Sequence, residues 1–216
     1  AQLAEFLQRP VIAYDRLGFG QSDPSDALPG PDFITQEATV YFPSVKEQLG
    51  LGKYILMGYS VGGAMAINIA ARDEDCLALI TMSAQAFVEE RTLDGILTAK
   101  QQFQQPGQVE RLQKYHGEKA QWVLNAWTEV WTAPEFRSWS LADCIKDVTC
   151  PVLTIHGDKD EYGSKAFPEY IAENVTGNSE MVLLDNCGHM PHKQNPELVV
   201  EQVCRFIKSV PIKAFL

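Results

Sequence analysis

The sequence predicts an α/β fold: a mostly parallel sheet, flanked by helices and carrying an inserted helical segment. Short apolar runs recur between helical patterns, an alternation typical of parallel sheets. The runs are apolar throughout rather than alternately apolar and polar, as expected for strands that helices cover on both faces. Five strands are predicted, at Val11–Tyr14, Tyr54–Met57, Leu77–Thr81, Val152–Ile155 and Met181–Leu184.

Three helices are predicted to pack on this sheet. Thr35–Leu49 has an amphipathic pattern despite Pro43, and Val61–Ala71 is small and apolar. The third helix, Pro196–Lys208, begins with a typical start, because Asn195 can act as its N-cap and proline suits the first helical position.

The strand pattern disappears between Phe87 and Asp147, where the sequence is helical and rich in glutamine and tryptophan. We interpret residues 87–147 as a helical cap inserted into a core formed by residues 1–86 and 148–216. Aromatic side chains in such a segment more often pack in its core than contact a ligand.

The amino-acid composition disfavours several classes of function. The 216 residues include 45% hydrophobic side chains, and the formal net charge is −10. This charge disfavours binding to nucleic acid or to an anionic membrane surface, and no apolar run reaches the length of a membrane helix. The five cysteines are scattered and form no Cys-x-x-Cys pair, so we expect reduced thiols, a cytoplasmic location and no metal site.

A Gly-Tyr-Ser-Val-Gly sequence at residues 58–62 follows a predicted strand and precedes a small-residue helix. In this context the Gly-x-Ser-x-Gly pattern predicts a tight turn that presents Ser60 as a nucleophile, with Gly58 and Gly62 avoiding collisions of β-carbons. The alternatives are a tightly packed turn without chemistry and a dinucleotide-binding turn. The second is disfavoured because Gly-x-Gly-x-x-Gly is absent.

A serine nucleophile requires a base and a carboxylate. His189 follows the last predicted strand, whereas His116 falls in the cap, His156 ends a strand and His192 lies beyond Pro191. We therefore predict His189 as the base.

The stretch after the fourth predicted strand offers three carboxylates. We prefer Asp160 as the residue that orients the imidazole. Asp158 is close to the strand end and suits a structural role in the turn, and Glu161 is the third choice.

These motifs, in the order Ser, Asp, His, resemble the α/β-hydrolase family. The stretch from Asp15 to Ser22 is similar to the family's loop after its fourth strand. Asp160–Gly163, Cys187–His189 and Phe87–Glu90 further resemble a branch of little-characterised bacterial hydrolases. The resemblance spans about residues 5 to 208.

The resemblance implies acyl transfer to water through a covalent ester on Ser60, with His189 as base and then acid and the N–H of Val61 as an oxyanion donor. It implies no metal and no organic cofactor. The predicted substrate contacts are Tyr59, Trp131 and Met190. The chain departs from the family by having Tyr59 where histidine is frequent and by lacking the strand with a His-Gly oxyanion loop.

That missing strand belongs between the Val11–Tyr14 and Tyr54–Met57 strands in the family order. We therefore expect about 30 to 50 further N-terminal residues in the natural protein, which would carry the missing strands and the second oxyanion donor. A gap between the two strands is the corresponding structural expectation.

The predicted function is hydrolysis of a small, largely apolar ester or thioester. The same triad could also perform C–C bond hydrolysis, perhydrolysis or acyl transfer, because the fold and the nucleophile do not fix the leaving group. A non-catalytic ligand-binding protein of the same fold is the alternative from a different class.

Overall fold

The computed structural model describes residues 2–210 of the chain. Four parallel strands form a sheet in the order β1-β2-β3-β4. The strands are β1 Tyr54–Tyr59, β2 Cys76–Met82, β3 Val152–Gly157 and β4 Ser179–Leu184. Since the spatial order equals the chain order, each connection leads to the neighbouring strand, and the predicted α/β class with a mostly parallel sheet is confirmed.

Helices account for most of the remaining regular structure. The α-helices are α1 Gln2–Leu7, α2 Phe33–Gln36, α3 Phe42–Gln48, α4 Val61–Ala70, α5 Glu90–Gln102, α6 Gln108–His116, α7 Ala120–Thr132, α8 Ala166–Asn174, α9 Pro191–Gln194 and α10 Pro196–Ser209. None of the helices within residues 2–210 combines the length and the apolar character that crossing a membrane requires.

Four of the five predicted strands are confirmed. The central strands are the most buried, and every residue of β3 is buried. Leu153 and Ile155 of β3 pack with Ile80 of β2 and with Val203 and Phe206 of α10 in one apolar cluster. Since consecutive strand residues point to opposite faces, the burial of every β3 residue means that both faces are covered, which explains its continuous apolar run in the sequence.

The fifth predicted strand, Val11–Tyr14, is wrong. The segment has neither helical nor strand structure, and Val11, Ile12 and Tyr14 are 56%, 54% and 40% exposed. A β-branched run becomes a strand only where another strand accepts its backbone hydrogen bonds, and in the described residues β1 pairs with β2 alone. The expectation of further N-terminal strands stays a prediction.

The predicted helix Thr35–Leu49 forms with an irregular centre. Helical structure runs from Phe33 to Gln48, and residues Glu37–Tyr41 form a π-helical turn in which the Phe42 N–H bonds to the Glu37 carbonyl. Pro43 has no N–H to donate to the carbonyl four residues earlier, and the helix widens immediately before it.

The two other predicted helices are confirmed as α4 and α10, within one residue of the expected bounds. Asn195 occupies the N-cap position of α10, but its side chain makes no capping hydrogen bond. Pro196 follows at the first helical position, where its missing N–H costs nothing.

The described residues divide into two compact units. The first holds the sheet and contains Ile34–Phe87 with the segments up to Val11 and from Ser140 onward. The second contains Ile12–Phe33 and Val88–Trp139. The boundaries of the predicted cap at 87 and 147 stay a prediction, and residue 1 and residues 211–216 of the predicted core lie outside the described residues.

Aromatic contacts hold the second unit together. Trp131 is buried, and its ring centroid lies 4.8 Å from that of Phe136 and 5.7 Å from that of Trp139.

The turn at Gly18, also in the second unit, requires glycine. Gly18 has a φ of +85°, and a β-carbon there would collide with the Trp122 ring. Only glycine therefore suits this turn.

A group of charged and polar side chains joins α3, β1 and the loop between α4 and β2 in the first unit. Lys46 Nζ lies 2.8 Å from Asp73 Oδ2 and 2.7 Å from Asp75 Oδ2, and the Tyr54 hydroxyl donates to Asp73 Oδ2 over 2.6 Å. Burial alone would raise the pKa of Asp73, but the hydrogen bonds from Lys46 and Tyr54 outweigh it and hold the pKa below its ordinary value of 3.8.

Replacing Asp73 with Asn should lower the free energy of unfolding at pH 7 by about 1–2 kcal/mol, because two hydrogen bonds to a carboxylate are weakened. A carboxylate with a depressed folded-state pKa contributes its full stabilisation above pH 3.8 and loses it as the pH falls through the lower folded value. Urea denaturation should show the difference between wild type and variant shrinking below pH 3.8. The exposed Asp94→Asn variant is the control, with an effect within about 0.5 kcal/mol. A difference that stays constant with pH would contradict this account.

Candidate active site

Ser60 lies in the turn between β1 and α4 with φ of +56° and ψ of −128°. This conformation is strained for a residue with a side chain and costs about 1–3 kcal/mol. The Ser60 N–H donates to the carbonyl of Met82 over 2.8 Å, and the Ser60 carbonyl accepts from the Gly63 N–H over 2.9 Å. The turn is thus fixed on both sides by backbone hydrogen bonds, and it presents the hydroxyl at the carboxyl edge of the sheet.

Glycine is required in this turn at positions that differ in part from those predicted. A β-carbon on Gly58 would collide with the backbone of Gly62 and Gly63, as expected. The prediction for Gly62 is wrong, because a β-carbon there would meet nothing within 4 Å. The second close approach is instead at Gly63, where a β-carbon would lie 2.5 Å from the β-carbon of Ala84.

His189 follows β4, and its ring lies against the serine. Its Nε2 is 2.9 Å from Ser60 Oγ, and the side chain is nearly buried. The backbone N–H of His189 donates to Glu161 Oε2 over 3.1 Å. Hydrogen bonds at both ends therefore restrict the position of the imidazole.

Asp160 completes the arrangement, with carboxylate oxygens 2.8 and 2.9 Å from His189 Nδ1. Its side chain is 1% exposed, and Oδ1 also accepts the Tyr162 N–H over 2.8 Å. Burial acts to raise the pKa of Asp160, but the hydrogen bond and charge of His189 and the Tyr162 N–H outweigh it, so the pKa lies below 3.8. Asp160 is therefore ionised at neutral pH and can only accept hydrogen bonds.

This ionisation fixes the tautomer of neutral His189. Because Asp160 can only accept, the ring proton lies on Nδ1, and Nε2 presents its lone pair to the Ser60 hydroxyl. The three side chains form a chain of hydrogen bonds in which a proton can pass from Ser60 Oγ to His189 Nε2 while Asp160 balances the resulting charge.

The two other carboxylates of this loop occupy different positions. Asp158 Oδ1 accepts the N–H of Cys187 over 3.2 Å and so ties the β3 and β4 loops together. Glu161 accepts the backbone N–H of His189 rather than its ring N–H. Asp160 is thus the carboxylate that contacts the imidazole at the expected hydrogen-bond distance.

The four other predicted site residues lie in different parts of the structure. The ring of Tyr59 lies 5.2 Å from the His189 ring, and Met190, directly after His189, is 38% exposed. Val61 is the first residue of α4, where backbone N–H groups lack helical acceptors and the helix dipole is positive. The ring contacts of Trp131 described above lie within the second unit. The substrate and oxyanion roles of these four residues stay predictions.

Two polar side chains at the site were not predicted. His156 is 1% exposed, and its Nε2 lies 3.3 Å from the Gly163 carbonyl and 3.4 Å from Asp160 Oδ2. Gln85 is 6% exposed, and its Nε2 donates to Ser60 Oγ over 3.2 Å. Both follow or end a parallel strand, so their place at the carboxyl edge was available from the strand pattern.

Gln85 is unusual in its hydrogen bonding. Its side-chain oxygen Oε1 is buried and has no hydrogen-bond partner among the described residues, and the same holds for Thr81 Oγ1 and Ser83 Oγ on the preceding segment. A buried polar group without a partner costs about 1–3 kcal/mol. Within residues 2–210, no three His, Cys, Asp or Glu side chains are grouped so that they could hold a metal ion.

Comparisons with known proteins agree with this architecture. The model of the alpha/beta hydrolase family matches residues 1–202. The chain is 27% identical to the AB hydrolase superfamily protein YisY of Bacillus subtilis (strain 168), over 92% of this chain and 81% of that protein. It is 23% identical to a proline iminopeptidase of Saccharolobus solfataricus, over 93% of this chain and 76% of that protein.

Solved structures show the same fold. An esterase from Exiguobacterium antarcticum superposes with a TM-score of 0.69 at 21% identity, covering 96% of this chain and 87% of the esterase. A meta-cleavage product hydrolase from Pseudomonas fluorescens IP01 superposes with a TM-score of 0.72 at 20% identity, covering 96% of this chain and 84% of that enzyme.

Replacing Gly58 with Ala should lower the free energy of unfolding by about 1–3 kcal/mol, because the new β-carbon collides with backbone atoms that cannot move aside cheaply. Gly62→Ala is the matched control. Its β-carbon meets nothing, and alanine is the better helix former, so this variant should be unchanged or more stable by up to about 1 kcal/mol. Chemical denaturation measures both, and equal destabilisation of the two variants would refute this steric account.

Proposed function

The chain belongs to the alpha/beta hydrolase family, and on that premise we propose that it hydrolyses a small, largely apolar carboxylic ester or thioester through an acyl-enzyme on Ser60. The observation that carries the proposal is the chain of contacts from Ser60 Oγ through His189 to Asp160, at 2.9 and 2.8 Å. A serine hydroxyl is a weak nucleophile at neutral pH unless a base takes its proton.

In the first half of the proposed reaction, Ser60 Oγ attacks the carbonyl carbon while its proton passes to His189 Nε2. The carbonyl oxygen becomes an oxyanion, for which we propose the N–H of Val61 at the positive end of α4 as one donor. Collapse of this intermediate breaks the bond to the leaving group, which takes the proton from Nε2. The acyl group remains on Ser60 as an ester.

In the second half, His189 accepts a proton from water, and the hydroxide equivalent attacks the acyl-enzyme. The intermediate collapses with Ser60 Oγ as leaving group, the proton returns from Nε2 to Oγ, and the carboxylic acid is released. In both halves Asp160 holds the Nδ1 proton and stabilises the imidazolium by its buried charge.

An ester or thioester is the proposed substrate because its leaving group needs the least assistance beyond one proton from His189. The relatives named as a peptidase and as a meta-cleavage product hydrolase indicate that amide and C–C bonds should be tested beside esters. Activity on p-nitrophenyl esters and acyl thioesters of graded chain length, compared with activity on an aminoacyl p-nitroanilide, distinguishes ester and thioester hydrolysis from amide hydrolysis.

Ser60→Ala should lower kcat/KM for the preferred ester by about 10³-fold or more, because it removes the nucleophile. A fluorophosphonate probe should label the wild-type chain and fail to label the variant. The exposed Ser44→Ala variant should retain both labelling and activity. Labelling that persists in Ser60→Ala, or no labelling of the wild type, would overturn the proposed nucleophile.

Asp160→Asn should lower kcat by about 10³ to 10⁴-fold, because an amide no longer specifies the Nδ1–H tautomer or balances the imidazolium charge. Asp158→Asn is the matched control, since its contact is to the Cys187 N–H. This control should affect mainly stability, measured by thermal unfolding. Comparable losses of kcat in the two variants would show that the assignment of Asp160 as the orienting carboxylate is wrong.

A further inference from the structure

We propose that Gln85 determines specificity by accepting a hydrogen bond, through its buried side-chain oxygen, from a hydroxyl or N–H group on the acyl part of the substrate. The inference rests on the proposed function and narrows its substrate class. The substrate would be apolar apart from one hydrogen-bond donor on the first or second carbon after the scissile carbonyl.

The orientation of the Gln85 amide follows from the hydrogen bonds of its neighbours. Ser60 has a single hydroxyl proton, which is directed to His189 Nε2 because the Nδ1 proton of that ring is held by Asp160. Ser60 Oγ can then only accept from Gln85, so the amide NH₂ faces the serine over 3.2 Å. The amide oxygen must therefore face away from Oγ.

The geometry keeps this oxygen close to the reacting atoms. The oxygen and nitrogen of an amide are about 2.3 Å apart, which places Gln85 Oε1 within about 5.5 Å of Ser60 Oγ. In this proposal the leaving group lies beside His189 Nε2, from which it takes its proton, and the acyl part occupies the Gln85 side of Ser60. A donor on the α or β carbon of the acyl group can reach Oε1 from there.

The missing hydrogen-bond partner of Gln85 Oε1 also indicates a ligand. This atom is buried without a partner among the described residues, and the same holds for Thr81 Oγ1 in β2 and for Ser83 Oγ directly after that strand. Buried polar atoms are almost always paired, and sites for small molecules typically place a few such atoms in an apolar pocket to orient the ligand. A substrate donor would supply the missing partner of Oε1.

The test uses three p-nitrophenyl esters with the full chain: butyrate, 2-hydroxybutyrate and 3-hydroxybutyrate, each corrected for its uncatalysed rate. The wild type should hydrolyse at least one hydroxy ester with a kcat/KM about tenfold or more above that of butyrate, because the unsubstituted ester leaves Oε1 unpaired. Gln85→Met, which keeps the length of the side chain but has no amide, should reduce this ratio to about one. The exposed Gln121→Met variant should keep the wild-type ratio.

The outcomes separate this inference from the proposed function. Hydrolysis of all three esters by the wild type without preference would overturn the role of Gln85 and leave the proposed hydrolase intact. A Gln85→Met variant that loses rate equally on all esters, with the ratio preserved, would also overturn it and would assign Gln85 to the support of Ser60 Oγ. If no ester is hydrolysed and no fluorophosphonate is bound, the proposed function itself fails. If Gln85→Met does not fold, a wild-type ratio of about one still overturns the inference.

Discussion

The parallel ladder of hydrogen bonds between the strands is the interaction on which the site depends. The ladder continues one residue beyond the strands: the N–H groups of Ser60, Ser83 and Asp158 bond to the carbonyls of Met82, Ile155 and Leu184 on the next strand. Each of these bonds holds the first residue of a loop at the same sheet edge. The site is therefore assembled by backbone contacts, and the side chains need only short loops to meet.

The ionised Asp160 needs compensating contacts, because a buried carboxylate is unfavourable without them. The compensation comes from the His189 ring and the Tyr162 backbone N–H, with His156 3.4 Å from Oδ2. These contacts involve both carboxylate oxygens and so restrict the rotation of the group. The contacts that stabilise the buried charge of Asp160 thus also orient the imidazole of His189 toward Ser60.

The elements that were predicted correctly from the sequence are those whose backbone geometry depends on a local residue pattern. The Gly-x-Ser-x-Gly turn was predictable because Gly58 leaves room that a β-carbon would fill, and the four central strands were predictable from their apolar runs. Val11–Tyr14 could not be judged in this way, since strand formation depends on a partner elsewhere in the chain. Gln85 has no motif around it, and its hydrogen bond to Ser60 joins residues that are 25 positions apart in the chain.

The close contact between Gly63 and Ala84 makes the two positions interdependent in evolution. Ala84 directly precedes Gln85, and Gly63 lies in the first turn of the helix that follows Ser60. Glycine has no smaller replacement, so a side chain at position 63 could be accommodated locally only by a loss of the methyl group at position 84. Substitutions at these two sites should therefore show strong epistasis, and a larger side chain at either would push the turn of Ser60 away from the Gln85 segment.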